Sequence, residues 1–116
     1  MKETKIDKFQ EERGRLNKIV MKHGKTNIKR FYSIDSCVYE PGALSAKTKE
    51  LLGLACSLVL RCDDCAKYHI IQCRKQKVKD DELEEALSIA LVVGGSVVIP
   101  YLRRAFQTWE EASKIK

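Results

Sequence analysis

The sequence predicts an all-α fold, a small bundle of about six helices. Apolar residues recur three or four positions apart over nearly the whole chain, as one face of a helix requires, and no alternating run competes with them. The breaks in this pattern fall at helix breakers, Gly24, Pro41-Gly42 and Gly94-Gly95. With 116 residues, 44% of them apolar, the chain is long enough for one core and short for two, so a single domain over 1–116 is expected.

Ile6, Phe9, Leu16 and Val20 make one stripe of a first helix, which His23-Gly24 ends with a glycine C-cap. Thr26 or Asn27 caps a second helix with Ile28, Phe31, Ile34 and Val38 as its stripe, and Pro41-Gly42 stops it. A third follows Ser45 and runs through Lys49-Glu50-Leu51-Leu52 to about Leu60. The fourth starts near Arg61-Cys62 and ends near Lys75. Asp80 or Asp81 caps the fifth, the latter completing a capping box with Glu84. Gly94-Gly95 interrupts that helix, and a last one carries Tyr101, Leu102, Phe106 and Trp109.

The net charge of +6 lies entirely in residues 1–30, which hold ten Lys/Arg against four Asp/Glu; the remainder is balanced. The basic residues are spread around a helix among acids, with no interleaved aromatics, so a solvated face is expected and no nucleic acid partner. Residues 86–102 contain no formal charge. A bilayer span needs about 20 such residues, and Gly94, Gly95, Ser96 and Pro100 break this stretch in its middle. It is therefore expected not to cross a membrane but to be buried in the core and between protomers of a homo-oligomer. The opening MKETKIDKFQEERGR is amphipathic and charged, unlike a secretion signal, and five cysteines is an odd number for a disulfide scaffold. Free or catalytic thiols in a reducing, cytoplasmic compartment are expected.

The informative segment runs from Glu50 through Cys62 and Cys65 to His69. A cytosolic C-x-x-C is either a metal site or a redox pair. With His69 and Cys73 it formally offers four zinc ligands, but along one helix Cys62 and Cys73 are about 16 Å apart. Zinc holds its ligands at about 2.0–2.3 Å, so one helical row does not close a tetrahedron unaided. The redox reading uses the same geometry in its favour. Cys62, Cys65 and His69 stand at i, i+3 and i+7, on one face of the fourth helix. Unpaired N–H groups and the helix dipole at its start favour thiolate over thiol. His69, one turn beyond Cys65, can take or return the proton. Glu50 on the preceding helix can orient His69 if the chain reverses near Arg61.

The pattern E-x11-C-x2-C-x3-H, flanked by ELLGLACSLVLRC and DDELEEALSIALVVGG, resembles the active-site region of alkylhydroperoxidase D-like proteins in the carboxymuconolactone decarboxylase superfamily. The similarity runs from about Gly42 to Gln107. It implies a small helical bundle assembled as trimers or hexamers, without a cofactor. The implied chemistry is thiol-dependent reduction of hydroperoxides or of a peroxiredoxin's disulfide, with a peroxide as substrate and a peroxiredoxin or dithiol reductant protein as partner. By this resemblance Cys65 becomes the sulfenic acid or mixed disulfide, Cys62 supplies a proton and closes the disulfide, and Glu50 and His69 form the proton relay.

One position departs from the pattern. The family often has a histidine just before the second cysteine, where this chain has Asp64, beside Asp63. Both carboxylates suit a helix N-terminus, yet each repels a neighbouring thiolate and raises its pKa. Weak peroxidase activity with an intact dithiol/disulfide couple is the expectation. The alternatives are a cofactor-free lactone decarboxylase, which does not depend on a C-x-x-C, and a non-enzymatic Cys/His metal-binding scaffold. Cys37, Cys56 and Cys73 are expected as small core residues, Cys73 on the face of the pair, and Tyr68 and Trp109 as packing.

Overall fold

The computed structural model of the chain describes residues 3–115. The helices are α1 (Lys5–His23), α2 (Thr26–Val38), α3 (Ala46–Val59), α4 (Asp63–Lys75), α5 (Asp80–Gly94) and α6 (Ile99–Glu111), with 3₁₀ turns at Ser96–Val98 and Ala112–Lys114. Among the described residues there is no strand, and the fold is all-α. The contacts divide the chain into two compact units, residues 1–40 and 41–116.

In the first unit, Thr4 and Asp7 cap α1 reciprocally. The Asp7 N–H donates to Thr4 Oγ1 at 3.1 Å, and the Thr4 N–H donates to Asp7 Oδ2 at 3.0 Å. These bonds hold the Asp7 carboxyl below its ordinary pKa. Gly24 ends α1 as expected, but with extended backbone (φ −69°). Glycine is needed there for space, since a Cβ would stand 2.7 Å from the Val20 carbonyl oxygen. Helix α2 begins one residue earlier than its sequence suggests. Lys25 occupies the N-cap with no side-chain bond, and Thr26 and Asn27 lie inside the helix. The short extended link at Gly24-Lys25 already sets the new direction, so no capping side chain is required. No residue of α2 is buried. Its predicted stripe of Ile28, Phe31, Ile34 and Val38 is exposed along its length.

In the second unit, α3 packs on α4 and α5, and α4 packs on α6. Leu54 and Leu58 of α3, Ile70 and Ile71 of α4, Leu83 and Leu87 of α5 and Val98 form the core, all nearly inaccessible to solvent. Ser45 caps α3 as expected, accepting the Thr48 N–H at 3.1 Å. At α5 the expected caps are corrected. Lys79 is the N-cap, and its N–H donates to Glu82 Oε1 at 2.8 Å, in place of an Asp81–Glu84 box. Asp80 is turned elsewhere, accepting the Trp109 indole N–H at 2.8 Å. Arg74 lies over the same indole, 3.3 Å from its centroid, and donates to the Trp109 carbonyl at 2.7 Å. Trp109 thus joins α4, α5 and α6, a packing role as expected.

The uncharged stretch 86–102 is buried on one side only. Leu87, Ala90 and Val98 face the core, while Ile89 (63% exposed), Val92 (83%), Val93 (69%) and Val97 (55%) face outward in the single chain. Gly95 has φ +81°, which suits glycine, and a Cβ on Gly94 would run into the Val98 side chain. Together they break the helix where the sequence indicates. Among the described residues no helix is long and apolar enough to cross a membrane.

Candidate active site

The site is built at the reversal between α3 and α4. Leu60 ends α3, and Arg61 adopts a left-handed conformation with φ 59°. The Arg61 N–H donates to the Leu58 carbonyl at 2.9 Å, and the Cys62 N–H donates to the Ser57 carbonyl at 2.9 Å. This paired closure is a Schellman motif, formed here without glycine at the left-handed residue. The conformation costs an L-residue about 1–2 kcal/mol. It places Cys62 as the N-cap of α4 with no intervening loop.

An N-cap is usually oxygen-bearing, because its side chain must accept an N–H of the first turn. Here the Cys62 sulfur accepts the Cys65 N–H at 3.2 Å. Cys62 and Cys65 are disulfide-bonded, with Cα atoms 5.3 Å apart, a separation within the ordinary range for such a bond. Cys65 is exposed and Cys62 half-buried. The pair therefore sits where the positive end of α4 favours anionic sulfur, with Cys65 open to solvent.

Glu50 and His69 meet across the same reversal. Glu50 is on α3 before the turn and His69 on α4 after it, so folding back brings them level. Glu50 Oε1 and His69 Nδ1 are 2.8 Å apart, with side chains only 8% and 11% exposed. An ionised carboxylate can only accept, so beside one Nδ1 is the donor of this bond. A buried acid with a hydrogen-bonded partner avoids the penalty of an isolated buried charge. Tyr68 stands edge-on to the His69 ring, with centroids 5.2 Å apart. The structure thus brings Glu50 to His69 and Cys62 to Cys65, with Cys65 one helical turn from His69.

Cys73 lies one turn beyond His69 and is completely buried. Burial, aided by the Glu50 charge, pushes its thiol up to about 12, so it is inert at neutral pH. The expectation that all three remaining cysteines are core residues is corrected for two of them, since Cys37 and Cys56 are exposed. Each sits on the outward side of its helix, where no neighbouring element of its own unit covers it.

Asp63 and Asp64 do not act alike. Arg104 of α6 donates through Nε to both carboxylate oxygens of Asp63, each at 3.0 Å. Asp63 thus has a cationic partner that its sequence neighbours do not reveal, while Asp64 is exposed. The bond with Asp63 raises the Arg104 pKa above its ordinary value. Arg104 went unnoticed in the sequence because 41 residues separate it from Asp63 and no spacing links them. Among the described residues, no group of three or more His, Cys, Asp or Glu side chains is placed to hold a metal ion.

Residues 30–108 match the model of the carboxymuconolactone decarboxylase family. Two crystal structures of one family protein from Thermotoga maritima, for which a role in an antioxidative response has been suggested, are 57% identical to this chain. They align with TM-scores of 0.86 and 0.88, covering 90% of this chain and 88% and 91% of theirs. The apo structure of a family protein from Legionella pneumophila is 27% identical, with a TM-score of 0.87 over 95% of this chain and 98% of that one. An uncharacterized protein of Cupriavidus necator is 29% identical over 75 residues, which are 65% of this chain and 66% of that protein's length.

Proposed function

Because the chain belongs to the carboxymuconolactone decarboxylase family, we propose that it is a thiol-dependent oxidoreductase that reduces hydroperoxides or the disulfide of a peroxiredoxin. The observation that carries this reading is the Cys62–Cys65 pair at the start of α4, beside the buried Glu50–His69 pair. His69, held by Glu50, takes the Cys65 proton. The Cys65 thiolate attacks the distal peroxide oxygen and the O–O bond breaks. Cys65 becomes a sulfenic acid, and the alkoxide leaves as an alcohol with a returned proton. Cys62 then attacks the Cys65 sulfur, releasing water and forming the disulfide. A dithiol protein supplies two electrons and two protons to restore both thiols. With a peroxiredoxin as substrate, Cys65 attacks that protein's disulfide and Cys62 resolves the mixed disulfide. Such a cycle belongs in a reducing compartment, the cytoplasm.

Mass spectrometry of the reduced protein after one equivalent of alkyl hydroperoxide tests the cycle. The tryptic peptide 62–67 should lose two hydrogens, with one alcohol formed per disulfide. Consumption of peroxide while both thiols stay free overturns the proposal.

The proposed assembly is a homotrimer or homohexamer. The outward Ile89, Val92, Val93 and Val97, with the uncovered stripe on α2, leave more apolar surface in water than a lone small chain ordinarily carries. Light scattering should return a multiple of the 13.3 kDa chain mass. A monomer mass at working concentration excludes it.

A further inference from the structure

On α4, Tyr68 follows Cys65 by three residues and His69 follows it by four. Side chains of a helix lean towards its N-terminus, so both rings lean over the turn that carries Cys65, one to each side. The two rings meet. Their centroids are 5.2 Å apart and their planes are inclined at 71°, the T-shaped arrangement that aromatic pairs prefer. His69 is buried and Tyr68 half-buried. Glu50 reaches the imidazole from α3 and holds it at one atom, Nδ1. A bond at one atom lets the ring turn about that atom, and the last torsion of a histidine has broad wells. A second ring set steeply against the first removes that freedom. Arg104, the cation that α6 brings to α4, is bound to Asp63 and lines a hollow with Ala66 and Lys67 on another face of the helix.

We propose that Tyr68 is a positioning residue: its ring fixes the plane of the His69 imidazole, which Glu50 holds at a single atom, and so keeps it turned towards Cys65. This rests on the proposed reading that His69 takes the Cys65 proton. Tyr68 acts through His69 and needs no contact with substrate. The ring carries the effect, and the hydroxyl adds little to it.

The test is the pH dependence of Cys65 alkylation by iodoacetamide in the full chain, with Cys37, Cys56 and Cys62 replaced by Ser. The rate near neutral pH is divided by the plateau rate at high pH, where every Cys65 is a thiolate, so a change in access to the sulfur cancels. Tyr68→Leu should lower this ratio about threefold, the scale of effect that an aromatic pair of this geometry carries. Tyr68→Phe, which keeps the ring, should recover most of the loss. With His69→Ala already in place, Tyr68→Leu should lower the ratio no further. The buried Cys73 stays protected while the chain is folded, and Tyr68→Met replaces Tyr68→Leu should that protection be lost. A Tyr68→Leu ratio equal to the parent's overturns the proposal. So does a Tyr68→Phe ratio as low as that of Tyr68→Leu, or an equal fall in the His69→Ala background. If His69→Ala itself keeps the parent's ratio, the base of the proposed function is lost and this proposal with it. A fall for His69→Ala with none for Tyr68→Leu overturns the role of Tyr68 alone.

Discussion

Replacing Cys65 by Ser should abolish hydroperoxide turnover, a loss on the order of 10³ or more, because a neutral hydroxyl at this position has no comparable nucleophilicity. Serine keeps the volume and the helical backbone, so the Glu50–His69 pair and the core around Ile70 and Ile71 are untouched. Cys62→Ser should behave differently. The hydroxyl preserves the N-cap bond to the Cys65 N–H and is the better acceptor. Cys65 should then consume one equivalent of peroxide and stop as a sulfenic acid, trapped by dimedone. The two variants separate attack from resolution in one coupled assay with a single-turnover control. If Cys62→Ser is the dead variant and Cys65→Ser completes one turnover, the assigned roles are reversed.

His69→Ala and Glu50→Gln should each lower turnover by about 10²-fold, the usual contribution of a positioned general base. The two losses should not add, because Glu50 is proposed to act only through the imidazole, by holding it and by stabilising its protonated form. The double variant should therefore resemble His69→Ala alone. Glu50→Gln is nearly isosteric and keeps a group opposite Nδ1, but it removes the charge that stabilises the imidazolium formed as Cys65 loses its proton. Raising the pH should rescue both variants, since hydroxide progressively supplies the thiolate that the base no longer generates. Cys73 supplies a folding control: completely buried in the parent, it should resist alkylation in any variant that remains folded. A turnover within twofold of the parent for His69→Ala, with Cys73 still protected, would remove His69 from the mechanism.

The parts of this site that were legible in the sequence are those set by local spacing. The i, i+3, i+7 row of Cys62, Cys65 and His69 follows from helix geometry alone, and Glu50 joins it because a single reversal lies between the two helices. Helix bounds were equally plain wherever Ser45, Pro41-Gly42 or Gly94-Gly95 marks them. The errors share another cause. Asp80 looks like a cap until Trp109, 29 residues on, claims its carboxylate. Asp63 looks like an unopposed acid until Arg104 arrives from α6. The smallness of a cysteine fits a core or a surface, so Cys37 and Cys56 gave no sign of their exposure. Contacts between residues far apart in sequence decide each of these, and periodicity carries no information about them.

The left-handed Arg61 has a consequence for which changes of chain length the protein tolerates. The turn around it is exposed, with Leu60 77% accessible, and exposed turns normally accept insertions and deletions freely. This one is closed by backbone bonds on both sides, and α4 starts directly behind it. One added residue would rotate α4 by about 100° relative to α3, carrying His69 away from Glu50 and the cysteines to another face. Substitution of Leu60, or of Arg61 by glycine or asparagine, should leave this turn intact, whereas a single-codon insertion there should dismantle the site while leaving every residue of it present.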